Sequence, residues 1–380
     1  MRRPLRIDMT DWHRNKRLLR LALAEGLGRI RSFMEKIDSA SVIHISADIP
    51  AKELHDRISK LPRLNFIHID HSGVSQNPED NVITLARRDP ALKEKLVHMA
   101  NAGFHLYTLR DGISSMVHHR RISTLWRNVI SGEVSVDANG VFSKLESAPS
   151  SIGEPRLLVV FSSIAGKMYT PSLMRHFEQN FATIGKYIPK NTHILRIVDF
   201  GGVVGSFYLN SRALPNNEKH IAARIADTAA KLGVARDRIL LYGGSKGGTA
   251  AAFYALRHGW RGVAVDPILS DEHYVQKYRD LHFTLNTYAA TKQERFAELV
   301  QAVHSEAQLS VICSTRSPQF PYIEKILIER FRDRFLFLNS ENPEIRSHPD
   351  VGRQTIPHSL AQINQHLAGL TIVGGYHTVW

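Results

Sequence analysis

From residue 157 onward, short runs that are apolar on both faces of a strand alternate with stretches of helical periodicity, and this alternation constrains the fold most. It predicts strands at 157–161, 194–200, 239–242, 262–265, 309–313 and, as the last parallel strand, 335–339. Helices are expected at 171–184, 218–232, 248–258, 293–304, 322–331 and 356–367. A strand without a polar face must be covered on both sides, so these helices belong on both faces of a parallel sheet, an α/β fold.

With 380 residues the chain exceeds one ordinary domain. Residues 1–120 read as a smaller α/β domain without a catalytic constellation, with an amphipathic helix at 12–34, strands at 42–45, 66–69 and 104–109, and a helix at 90–100. Residues 121–380 form the second domain, which opens on a hairpin, 132–136 with 141–145, turning at Asp137-Ala138-Asn139-Gly140, and continues through a Ser/Pro-rich joint at 147–155. His118-His119-Arg120-Arg121 reads as a solvated basic turn, because adjacent side chains diverge on a helix or a strand.

The most informative segment is Leu240-Leu241-Tyr242-Gly243-Gly244-Ser245-Lys246-Gly247-Gly248-Thr249. It holds a G-x-S-x-G pattern between a buried strand and a small-residue helix, the context of a nucleophile elbow. A serine hydroxyl needs a base to take its proton, and a helix start offers backbone donors to a developing oxyanion. The Lys246 amide is one expected donor; the second is expected from the loop after strand 157–161, at Ser162 or Ser163. The Lys246 side chain, a cation where the helix dipole disfavours one, either binds an anionic substrate group or reaches solvent.

A triad of this class needs an acid and a histidine after the serine. The turn after strand 309–313 reads Ser314-Thr315-Arg316-Ser317-Pro318-Gln319 and has no carboxylate, so the acid is assigned to Asp266, at the end of the preceding strand, with Asp271 and Glu272 in reserve. His348, in the loop after strand 335–339, is the expected base, and His377 its rival. Cys313 reads as core; as the single cysteine it excludes an internal disulfide and any Cys-based zinc site. No metal or cofactor is expected. The stretch Asp199-Phe200-Gly201-Gly202-Val203-Val204-Gly205 lacks G-x-G-x-x-G, which argues against a nicotinamide; it is expected to shape the pocket floor, with Tyr208 and Arg212 near the substrate.

With Ser245, Asp266 and His348 in these places, the chain from about residue 125 onward resembles the α/β-hydrolase superfamily. Phe161-Ser162-Ser163, Asp199-Phe200-Gly201-Gly202, residues 242–248 and Ser347-His348-Pro349-Asp350-Val351-Gly352 resemble bacterial capsular polysaccharide biosynthesis proteins related to the glycan O-acetyltransferase of accessory secretion systems. The resemblance implies an α/β-hydrolase-like catalytic domain and acyl transfer to or from a sugar hydroxyl through an acyl-serine. The missing acid after Cys313 departs from the commonest superfamily pattern.

Charge bears on the partner. Lys and Arg total 49 against 36 Asp and Glu, a net +13 that attracts polyanions. An acidic polysaccharide or an anionic membrane face ranks above nucleic acid, because no stretch interleaves basic with aromatic residues. No apolar run approaches the roughly 20 residues that span a bilayer. The apolar stretch at 18–23 is broken by Arg20 and followed by Glu25, unlike a secretory signal, so a cytoplasmic location is expected, with peripheral contact at the inner membrane face. The alternative to an enzyme is a non-catalytic scaffold of the same fold that binds acidic glycan or a membrane-associated synthesis complex.

Overall fold

A computed structural model describes residues 41–380 apart from residue 62. The expected helix at 12–34 lies outside the described residues. Two sheets organise the rest.

The smaller sheet has the order β1 (Val42–Ser46), β2 (Phe66–Asp70), β4 (Ile113–His118) and β3 (Phe104–Arg110). Sequence periodicity misses β4, which lies antiparallel between β2 and β3. Its two serines are buried yet satisfied: the Ser114 hydroxyl accepts from the Val82 amide at 2.9 Å, and that of Ser115 meets His68 Nδ1 at 2.8 Å. Helices Ala51–Lys60, Val82–Ala86 and Pro90–Asn101 supply much of the covering core, Leu54, Ile83 and Leu96 among it.

The larger sheet is built from β5 (Ser135–Val136), β6 (Phe142–Glu146), β7 (Arg156–Phe161), β8 (Thr192–Ile197), β9 (Ile239–Gly244), β10 (Arg261–Val265), β11 (Gln308–Cys313), β12 (Leu336–Ser340) and β13 (Gly375–Val379). Their order is β13-β12-β11-β10-β9-β7-β8-β6-β5. Pairing is parallel throughout except at β6, which runs against both β5 and β8. A mostly parallel sheet with one reversed strand near an edge, β7 and β8 exchanged, and helices over both faces is an α/β-hydrolase-type fold. The central strands are buried along nearly their whole length, so the two faces carry separate cores: one centred on Leu157, Leu241 and Ala251, the other on Leu158, Leu240 and Ile363.

Three expectations change. The helix expected at 171–184 is an irregular segment with two short 3-10 turns, Leu173–His176 and Ile184–Lys186. Its apolar residues serve different cores, Leu173 and Phe177 packing beside Trp126 and Ile184 on the other face with Ile188, so one helical stripe cannot satisfy them. The strand at 335–339 is not the last parallel one, because β13 pairs with β12 beyond it. Of the supposed basic turn only Arg120 and Arg121 are exposed. His119 packs edge-on against Phe142 and Phe200, and burial holds it down to about pH 4; His118, lowered to about 4 by burial and then by Arg120, packs on Phe104.

Among the described residues no helix is long and apolar enough to cross a membrane, and no group of three or more His, Cys, Asp or Glu could hold a metal ion.

Candidate active site

Strand β9 ends at Gly244 and the Lys246–His258 helix starts two residues on, leaving Ser245 to turn the chain alone. It does so at φ 56°, ψ −118°, a conformation that costs a non-glycine residue about 1–3 kcal/mol. The residues two positions to either side must be glycine on steric grounds: a methyl at Gly243 would overlap the Gly247 backbone, and one at Gly247 would overlap Phe161 O. The Ser245 amide is tied to Val265 O at 2.8 Å, which pins the turn to β10.

Three side chains from separate segments meet at this turn. His348 Nε2 lies 2.7 Å from Ser245 Oγ, and His348 Nδ1 lies 2.7 Å from Asp266 Oδ2. Asp266 follows β10 at φ 42° with its amide donating to Ile312 O at 2.7 Å, and it is buried. Ser317 Oγ donates to the same Oδ2 at 2.5 Å. His348 opens the His348–Gln354 helix rather than lying in an open loop, and its side chain is 10% exposed. The other candidates are elsewhere. His377 sits on β13 opposite Leu338, Asp271 Oδ1 is 2.5 Å from the Lys292 ammonium, Glu272 accepts from Gln276, and Cys313 is buried in β11.

A cavity of about 1140 Å³ opens over Ser245. Tyr274, Leu281 and His282 form one wall, Ser163 and Phe181 line it further round, and Lys277, Arg316 and Arg346 stand exposed along it. Burial, and after it the Lys292 ammonium, keeps the His282 imidazole well below its ordinary value and so neutral; its Nδ1 has no hydrogen-bond partner among the described residues.

The expected oxyanion donors are only partly available. Lys246 is the first helical residue, so its amide has no carbonyl one turn back within the helix. The Ser162 amide, however, donates to Tyr208 Oη at 2.6 Å, and the Ser163 amide to Asn180 Oδ1 at 2.7 Å. Asn180 Nδ2 in turn donates to Ser163 Oγ at 2.8 Å, leaving the hydroxyl proton of Ser163 uncommitted by this clamp.

Neither Tyr208 nor Arg212 lines the cavity. Tyr208 is fully buried against Phe161 and fixes the Ser162 amide; Arg212 is exposed and donates to Asn286 O at 3.1 Å. The Lys246 side chain reaches neither substrate nor solvent. It is fully buried, with Nζ 3.0 Å from Asp199 Oδ2, and Asp199 also accepts from the amides of Ser206, Phe207 and Tyr208 at 3.0–3.1 Å. The side chain thus braces the elbow from below.

No known family model matches the sequence, and no curated protein is similar to it in sequence. Among solved structures it is similar to the glycosylation-associated protein (Gap123) complex from Streptococcus agalactiae, at 16% identity and a TM-score of 0.47 over 68% of this chain and 51% of that chain. It spans about half of that protein's length. It is also similar to FphF, a fluorophosphonate-binding serine hydrolase of Staphylococcus aureus, at 14% identity and a TM-score of 0.42, covering 61% of this chain and 96% of that one. The metagenomic carboxylesterase EstE1 is a third, at 13% identity and 0.44, with 63% and 88% covered.

Sequence reasoning missed Asp199, Asn180, Ser317 and His282, whose roles depend on contacts between distant segments. Only Asp199 carried a signal, an acid after a buried strand and before glycines. Replacing Asp199 by alanine is expected to destabilise the protein by about 3–5 kcal/mol, because a buried ammonium loses its counter-ion and three amides their acceptor. Urea unfolding checks it, and adding Lys246→Met should restore part of the loss.

Proposed function

We propose that the protein is a serine-dependent acyltransferase or esterase, with Ser245 as nucleophile, His348 as base and Asp266 orienting the imidazole. The observation that carries this is the continuous hydrogen-bonded chain from Ser245 Oγ through both His348 nitrogens to Asp266, on a strained turn at a cavity. His348 takes the Ser245 proton as Oγ attacks the ester carbonyl. The oxyanion is met by the Lys246 amide and, in this reading, by the Ser163 hydroxyl in place of the two occupied loop amides. Collapse expels the alcohol, which receives the proton from His348, and leaves an acyl-Ser245. A second hydroxyl, from water or a sugar, then takes the acyl group by the reverse steps.

For the acceptor we propose a carbohydrate, most simply an acidic capsular or surface polysaccharide met at the cytoplasmic face. Lys277, Arg316 and Arg346 beside the cavity and the net charge of +13 support an anionic acceptor. The test uses p-nitrophenyl acetate with and without an acidic polysaccharide. Acetate appearing on the polysaccharide, abolished by Ser245→Ala, is the expected result; release to water alone would leave an esterase. The scaffold alternative is favoured by one observation, the engagement of both the Ser162 and Ser163 amides, and it predicts no turnover of any ester.

A further inference from the structure

Tyr278, Leu281 and His282 of the segment 278–286 form part of one cavity wall, and that segment is strained. Arg279, Asp280, Phe283 and Asn286 all have φ between 51° and 63°, each costing about 1 kcal/mol or more unless surrounding contacts hold it. Some of that holding is internal: Asp280 Oδ1 accepts from the Thr284 amide at 2.7 Å and its hydroxyl at 2.9 Å. Arg212 and Tyr169 of the larger domain add bonds to Asn286 O at 3.1 Å and Leu281 O at 2.9 Å, and the other contacts come from the smaller domain. Arg87 donates to the carbonyls of Tyr278 at 2.7 Å, Arg279 at 2.9 Å and Asp280 at 3.2 Å. Lys93 Nζ donates to Arg279 O at 2.7 Å and lies 3.1 Å from Asp280 Oδ2; Asn101 Nδ2 reaches Asn286 O at 2.9 Å. Phe283 is 1% exposed and shares an apolar cluster with Leu92 and Leu96 of the smaller domain. The residues just before it, Leu281 and His282, face the other way into the Ser245 cavity.

Resting on the serine-enzyme reading, we infer that the smaller domain is a positioning element of the active site: Arg87, Lys93 and the Phe283 socket clasp 278–286 and set the wall that Leu281 and His282 present to substrate. Its role is selectivity, because the clasp touches neither Ser245 nor His348. His282 presents a neutral ring to the cavity, so the wall it belongs to suits a substrate with a hydroxyl or amide as well as an apolar part.

The experiment compares the full-length protein with Arg87→Met/Lys93→Met, and with Lys93→Met alone should the double variant fail to fold. Hydrogen exchange at amides 281–285 is expected to quicken, and KM for p-nitrophenyl butyrate to rise about ten-fold, with kcat for p-nitrophenyl acetate within about two-fold. Lys93→Arg should restore the butyrate KM. Global loosening would lower both activities together, so an unchanged KM ratio, or unchanged exchange at 281–285, overturns the clasp while leaving the serine reading intact. A wild-type protein that turns over neither ester overturns the serine reading, and the inference with it.

Discussion

His348→Ala should lower kcat/KM for any ester substrate by about four orders of magnitude, about 5.5 kcal/mol of transition-state stabilisation. The size follows from the absence of a substitute. His348 Nε2 stands 2.7 Å from Ser245 Oγ, whereas His282, a buried imidazole on the cavity wall, has no hydrogen bond to the serine, and burial lowers its affinity for a proton. His377→Ala, on the edge strand β13, should leave the rate unchanged. Ser245→Ala should cost about as much as His348→Ala, and the pair no more than either alone, since the two act as one unit. A steady-state comparison of wild type with the four variants on p-nitrophenyl acetate reads all of this; a deep loss in His377→Ala or a mild one in His348→Ala would move the base.

The second large effect is acid lability. His105, His176 and His282 are buried and held well below the ordinary imidazole value, in each case first by desolvation and next by a nearby cation or imidazole: His119 and Arg175 for His105, Arg175 and His105 for His176, Lys292 for His282. The folded state therefore refuses protons that the unfolded chain binds below about pH 6.5. Stability is complete above that value and falls as pH drops through it, by about 1.4 kcal/mol per unit for each group and about 4 for the three together. Two of them, with His119, form a ring cluster between the two sheets: His105 lies 5.2 Å from His176 and 4.9 Å from Phe200, centroid to centroid. His176 Nδ1 donates to Asp199 O at 2.9 Å, so acid strain reaches the carboxylate that holds the Lys246 brace under the elbow. The thermal midpoint should be flat from pH 8 to 7 and fall steeply between 6 and 4.5, with a shallower fall in His105→Phe. A midpoint unchanged down to pH 5 would contradict the account.

The sheet was legible because buried parallel strands carry a continuous apolar signature: 157–161, 239–242, 262–265 and 309–313 each fall within the observed strands β7, β9, β10 and β11. The 171–184 segment was not, since its apolar residues are shared between two cores and mimic a helical stripe. The elbow was readable from spacing, as its glycines answer to steric overlap between neighbours in sequence and in the adjacent strand. What sequence could not show is the direction of long side chains. Lys246 could equally face substrate, solvent or the core, and only the buried Asp199 carboxylate settles it; the same holds for Tyr208, whose phenol serves the Ser162 amide.

The most direct test treats the full-length protein with a fluorophosphonate and locates the adduct by peptide mass spectrometry. A single adduct on Ser245, absent in Ser245→Ala and slowed by orders of magnitude in His348→Ala, is the predicted result. A folded protein that takes no adduct, or takes it on another residue, would contradict the claim that this hydroxyl is an activated nucleophile.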